Sequence, residues 1–160
     1  SIICKSNNPV CEICPLSKFC YSFKKKVVHL IPGQKNLLKK EKKYCVIFFI
    51  MNSKNEILFR KRKNAQILKG MMELPMTPLS NKKWNSVSLV KHYPLKCDWE
   101  DKNIFVSTLL SGFQLEMHIL FSKINNQRNG EWISLNNIGN YAVPSIFKKV
   151  ISKIEKNLII

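Results

Sequence analysis

Every position in residues 44–51 is apolar, the pattern of a strand buried on both faces rather than on one. The polar quartet Asn52-Ser53-Lys54-Asn55 predicts a turn, and Glu56-Ile57-Leu58-Phe59-Arg60-Lys61-Arg62 returns as the second arm of a hairpin. A third extended segment is expected over about 67–75, and residues 84–90 suit a short helix that ends before Pro94. Residues 104–110 and 113–124 predict another hairpin, hinged at Ser111-Gly112. In its second arm Phe113, Leu115, Met117, Ile119 and Phe121 alternate with Gln114, Glu116, His118 and Ser122, the period of a strand. The chain closes on a helix. Pro144 suits a first turn, and Ile146, Phe147, Val150, Ile151 and Ile154 recur at helical spacing. Lys148, Lys149, Lys153 and Lys156 fall opposite them, where solvation alone accounts for them.

Before residue 44 the periodicity dissolves. Residues 1–23 carry four of the six cysteines together with Pro9 and Pro15, a loop-rich segment that cannot bury a core alone and needs a cross-link or a metal. Residues 24–43 are Lys-rich, contain the turn pair Pro32-Gly33 and read as a surface linker. The expected organisation is therefore 1–23, 24–43 and a main domain over 44–160. With 160 residues and 45% apolar content, one domain with a small appendage is the natural count. No run approaches the roughly 18 apolar residues of a membrane span, and nothing at the start has the order of a signal peptide, so a soluble intracellular protein without a membrane partner is expected; a monomer is the expected state. The start, Ser-Ile-Ile-Cys, suggests a piece of something longer.

The formal net charge is +17, which changes the picture by pointing to a polyanion. Part of the excess fits drift toward A/T-rich codons, since only Arg60, Arg62 and Arg128 among 27 basic residues are arginines. Such drift does not leave just 10 acidic residues, so nucleic acid remains the expected partner. Lys24, Lys25 and Lys26 are candidate phosphate contacts. His29, His92 and His118 have no paired ligand spacing and read as surface or strand residues.

Cys4, Cys11, Cys14 and Cys20 have the spacing x6, x2 and x5. Disulfides suit small secreted domains, and the chain shows no export signal. Structural zinc usually draws on two Cys-x-x-Cys pairs, and here only Cys11 and Cys14 form one. A cubane iron–sulfur cluster is wider than one ion and tolerates a longer, unevenly spaced loop of soft thiolates. Cys45 and Cys97 read as a strand thiol and a stray one.

The string CKSNNPVCEICPLSKFC, with Pro9 and Cys14-Pro15-Leu16, resembles the cluster loop of the endonuclease III and MutY family of DNA base-excision glycosylases. The resemblance implies a [4Fe–4S] cluster on Cys4, Cys11, Cys14 and Cys20 that shapes a DNA-contacting loop. The extension after it resembles the carboxy-terminal domain of the adenine-specific branch, whose fold is like that of the Nudix hydrolases. Three stretches carry that likeness: residues 58–62, Leu68-Lys69-Gly70-Met71-Met72-Glu73-Leu74-Pro75, and Trp132-Ile133-Ser134-Leu135 with Tyr141-Ala142-Val143-Pro144-Ser145. The implied fold is α+β, a Nudix-like mixed sheet with flanking helices behind a small iron–sulfur module. A free-standing pyrophosphohydrolase is the rival reading. It needs several carboxylates on one helix to hold divalent metals, and residues 81–89 contain none, so hydrolase activity is not expected.

The family resemblance further implies recognition of 8-oxoguanine opposite the adenine to be removed. The family's Phe-Ser/Thr-His tip aligns with Leu110, Ser111 and Gly112, which keeps the hydroxyl and loses the ring and the imidazole. A plain hairpin turn is the competing reading of Ser111-Gly112. The catalytic Glu and Asp of the family lie on a helix-hairpin-helix domain that precedes the cluster loop, so no catalytic residue is expected in this chain. The implied partners are that upstream domain and double-stranded DNA with an A·8-oxoguanine mispair, in a cytoplasmic, nucleoid-associated bacterial setting. A standalone iron–sulfur DNA-binding module, or a decayed remnant, is the alternative.

Overall fold

The computed structural model describes residues 2–5, 7–31, 41–63, 68–110, 112–125 and 130–158. The chain divides into two compact units, Ser1–Lys40 and Glu41–Ile160. The first holds a 3-10 turn at Ser17–Phe19, helix α1 (Tyr21–Lys24) and a second 3-10 turn at Val28–Leu30. The turn expected at Pro32-Gly33 lies outside the described residues. The other ends of the expected linker are structured, since Lys24 closes α1 and Glu41 opens the first strand.

The second unit is a mixed sheet of β1 (Glu41–Asn52), β2 (Glu56–Lys61), β3 (Met72–Glu73), β4 (Glu100–Leu109), β5 (Phe113–Ile124) and β6 (Glu131–Ser134). The order is β3-β2-β1-β5-β4, with β6 also pairing β2. The long apolar run becomes β1, and it pairs in parallel with β5 along its whole length, from Glu41 opposite Phe113 to Asn52 opposite Ile124. A strand with a parallel partner must be covered on both faces, and β1 is. Cys45, Ile47, Phe49 and Met51 join one core, shared with Phe147, Val150, Ile151 and Ile154 of helix α3 (Ser145–Leu158). Val46, Phe48 and Ile50 point into another, with Leu58, Leu89 and Leu120, roofed by Trp84, Tyr93, Trp99 and Trp132. Helix α2 (Ser86–Leu89), capped by Asn85 Oδ1 accepting from the Ser88 N–H at 2.8 Å, contributes Leu89 to it.

The predicted first hairpin is formed only next to its turn. Asn52, buried, accepts from the N–H groups of Lys54 and Glu56 at 2.9 Å each, which fixes the reversal, and Met51 pairs with Ile57. Beyond that the strands part, and residues 76–80 take the vacated edge of β1 through bridges from Met76 to Ile47 and Ser80 to Tyr44. Buried Thr77 locks this insertion: its Oγ1 accepts from the Val46 N–H, and its own N–H donates to the Val46 carbonyl, both at 3.0 Å. The third extended segment is correspondingly short, two residues of β3 set against Arg60 and Lys61.

Phe48 has no exposed surface, and its ring meets Tyr93 edge-on at 5.7 Å and Trp99 at 5.1 Å. Phe48→Ala is expected to destabilise the second unit by about 3–5 kcal/mol in urea unfolding followed by tryptophan fluorescence. A loss below about 1 kcal/mol would show that the aromatic roof does not depend on this ring.

Candidate functional site

Two places in the molecule gather chemistry, one in each unit. In the first unit short local hydrogen bonds hold the cysteine loop. The Ile3 carbonyl accepts from Lys5 and Val10 N–H groups at 3.1 Å, closing the turn before Cys11. The Cys11 carbonyl accepts from Cys14 N–H at 3.2 Å, and that of Cys14 from Ser17 N–H at 3.0 Å. Cys20 N–H donates to the Ser17 carbonyl at 3.2 Å, and the Cys20 carbonyl starts α1 by accepting from Lys24. The result is that Cys4, Cys11, Cys14 and Cys20 all line one cavity of about 110 Å³, walled otherwise mainly by apolar groups such as Ile3, Val10, Phe23 and Ile31, with Lys5, Ser17 and Ser22 among them. Burial, followed by the charge that Cys20, Cys14, Cys4 and Glu12 would bring, pushes the Cys11 thiol up.

Among the described residues no three His, Cys, Asp or Glu side chains converge closely enough to hold a metal ion. The four thiols are soft donors of a kind that both zinc and iron–sulfur clusters take. The donors are soft and the walls apolar, which fits an iron–sulfur cluster better than a hard cation. Lys24, Lys25 and Lys26 sit exposed at the end of α1 and just beyond, with Lys26 in the left-handed region at φ 57°.

In the second unit the sheet sets Arg60, Arg62 and Glu73 side by side. Arg60 is opposite Glu73 across β2 and β3, and Arg62 continues the pairing by exchanging backbone hydrogen bonds with Met71 and Gly70. Gly70 makes this turn at φ 84°, a conformation that favours glycine. Arg60 Nε donates to Glu73 Oε1 at 2.8 Å, and Arg62 Nη1 donates to Glu73 Oε2. Glu73 is the one carboxylate among the residues around a cleft whose other lining groups include Arg60, Arg62, Lys63, Thr77, Lys91 and His92. A metal-dependent pyrophosphohydrolase needs several free carboxylates here, and this donor set does not supply them.

At the other predicted site, Leu110 closes the β4–β5 hairpin by donating its N–H to the Phe113 carbonyl at 2.9 Å. Its side chain packs partly against the core, Gly112 is exposed at φ 124°, and Ser111 lies outside the described residues. The exposed apolar side chain near this tip is Leu109, 62% accessible. Strand alternation carried the signal, because Ile104 and Val106 face inward and therefore turn Phe105 and Leu109 outward.

Residues 46–153 match the family model of the NUDIX domain. The chain belongs to the NUDIX domain family. This NUDIX protein is 27% identical over 98% of its length to an adenine DNA glycosylase of Buchnera aphidicola subsp. Baizongia pistaciae, and it spans 45% of that relative's length. Its fold is similar to that of a MutT protein from Methanosarcina mazei Go1, with a TM-score of 0.57 and 19% identity over 75% of this chain and 97% of the other. It is also similar to the C-terminal domain of mouse MUTYH, solved in complex with human PCNA, with a TM-score of 0.54 and 14% identity over 72% of this chain and 88% of that one. The α+β NUDIX fold and the likeness to the carboxy-terminal portion of MutY-type adenine glycosylases both hold as the sequence suggests.

The Glu73 carboxylate of this NUDIX domain is nearly buried, with 11% of its side chain accessible, and Arg62 beside it has 20%. Glu73→Ala leaves a guanidinium short of its partner. The expected loss is about 2–3 kcal/mol in chemical denaturation, below the ~3–5 kcal/mol of a fully buried pair. Arg60→Met should cost less, since the Arg60 side chain is half exposed. Equal losses would contradict this ranking.

Proposed function

We propose that this chain is the carboxy-terminal part of an adenine DNA glycosylase that removes adenine paired with 8-oxoguanine. The observation that carries the reading is the pairing, in one chain, of a four-cysteine cavity with a NUDIX sheet whose cationic cleft holds, among the described residues, the single carboxylate of Glu73. Collinearity with an adenine DNA glycosylase over nearly the whole chain supports the same reading. In this proposal Cys4, Cys11, Cys14 and Cys20 hold a [4Fe–4S] cluster. When bound, the cluster supplies cross-linking of a loop too small to fold on a core and a redox centre next to DNA. Lys24, Lys25 and Lys26 contact phosphate from that loop.

The β4–β5 tip reads the lesion. 8-Oxoguanine differs from guanine by an oxygen at C8 and a proton on N7, so a Ser111 hydroxyl accepting from N7–H discriminates the two, while Leu110 and Leu109 offer apolar contact in place of an aromatic ring. Chemistry belongs to an upstream helix-hairpin-helix domain, where a Glu protonates the flipped adenine and an Asp stabilises the sugar cation. Ile13, Leu16, Phe19 and Tyr21 are each more than 60% exposed in the first unit, as suits a module that packs against more of its own protein. Among the described residues no helix is long and apolar enough to cross a membrane. A monomeric cytoplasmic repair enzyme is the setting this reading implies.

Purified without oxygen, the chain is expected to be brown, with about four irons per molecule, and Cys14→Ser should lose most of that iron. Colourless protein with stoichiometric zinc would overturn the cluster assignment. Residues 1–160 alone should release no adenine from an A·8-oxoguanine duplex, and excision by this chain would refute the division of labour. Joined to the catalytic domain, Ser111→Ala should reduce the preference for 8-oxoguanine over guanine duplexes by about tenfold, given ~1–3 kcal/mol for a good base contact. Unchanged discrimination would remove Ser111 from the reading.

A further inference from the structure

The cleft around Arg60 is built for an anion, and no part of the proposed function uses it. Four permanent cations line it, Arg60, Arg62, Lys63 and Lys91, against the single carboxylate of Glu73, a balance of +3 before His92 is counted. Glu73 does not neutralise the cleft so much as orient it. By taking Arg60 Nε and Arg62 Nη1 it holds both guanidinium planes and leaves other N–H groups unspent. Arg60 has 52% of its side chain accessible, and its only further contact among the described residues is a long one, Nη2 to the Met76 carbonyl at 3.5 Å. Lys63 and Lys91 are exposed, and among the described residues neither forms an ion pair. The cleft, of about 580 Å³, adjoins an apolar pocket of about 310 Å³ through the shared residues Arg62, Met76 and Leu79. Leu110 and Phe113 wall that pocket, so the cationic cleft and the β4–β5 tip open onto neighbouring surface.

We propose that this cleft holds a backbone phosphate of DNA directly on Arg60, Lys63 and Lys91, without a divalent metal. Planar guanidinium donors fixed by a carboxylate match phosphate oxygens in pairs, and ammonium groups at the rim add charge without a geometric demand. A metal bridge would need free carboxylates, and Glu73 is committed to two arginines. The apolar pocket beside the cleft and the hairpin tip beyond it suit a strand that continues past its anchored phosphate, rather than a ligand that ends at one. The proposal rests on the reading of this chain as a DNA-repair module.

The test is the salt dependence of binding of the whole chain to duplex DNA in EDTA, comparing wild type, Lys63→Gln/Lys91→Gln, and Lys54→Gln/Lys123→Gln. Both double variants remove the same charge from exposed positions. The control pair lies at the carboxy-terminal end of β1, Lys54 in the turn after it and Lys123 opposite Met51 in β5. The Lys63/Lys91 variant should flatten the plot of log K against log salt by about 1, as for one lost phosphate contact, and the control should not. An unchanged slope, or equal flattening in both variants, would overturn the cleft assignment while leaving DNA binding intact. Binding that appears only when Mg2+ replaces EDTA would overturn it as well. A deoxynucleoside monophosphate that binds wild type and not the Lys63/Lys91 variant, with duplex slopes equal, would mark a site for free phosphates and refute the backbone assignment. Failure of wild type to bind duplex at any salt would remove the repair reading itself and this inference with it.

Discussion

The parallel pairing of β1 with β5 is the constraint on which the second unit depends. Its ladder runs the full length of both strands, and neither end can be reached by a short turn. A parallel ladder buried on one face only would leave half of the alternating side chains of β1 in water. Both covers are therefore obligatory, α3 on the side of Ile47 and Phe49 and the aromatic roof on the side of Phe48. The insertion of residues 76–80 follows from the same demand. β1 continues well beyond the stretch that β2 can partner, and Thr77 with Ser80 satisfies the backbone groups that would otherwise be orphaned at a buried edge.

That insertion also positions the cleft. Once residues 76–80 follow β1, β2 is released to pair with β3, which brings Glu73 between Arg60 and Arg62. The NUDIX sheet thus carries a charged centre with four cationic side chains against one carboxylate. The main part of the sheet's hold comes from β1 and its two covers, to which the Glu73 pairs with Arg60 and Arg62 add a local tie between β2 and β3.

Legibility in the sequence tracked how local each determinant is. β1, β5 and α3 are readable because apolar periodicity persists over long runs, and the shared cavity of Cys4, Cys11, Cys14 and Cys20 because their spacing is contained in one loop. The partial hairpin is not, since what separates β1 from β2 is a competing partner about thirty residues downstream of β1 and not any feature of the turn. The cationic cleft escaped for a similar reason: Lys91 and His92 come to Arg60 only through the tertiary fold. Leu109 was within reach of the alternation rule, which places it outward once Val106 is inward. Leu110, which the family resemblance singles out, packs partly against the core.

Cys45 sits in the middle of the β1 core, and burial pushes its thiol up to about 12. That thiol is disfavoured as the thiolate, which is the species that oxidants and electrophiles attack. Cys4 is exposed, and Cys11, Cys14, Cys20 and Cys97 are half-buried, so these cysteines have the accessible surface that Cys45 lacks. The thiol in the central ladder is thus shielded by the same packing that holds the sheet together, while the cysteines with accessible surface lie outside that ladder.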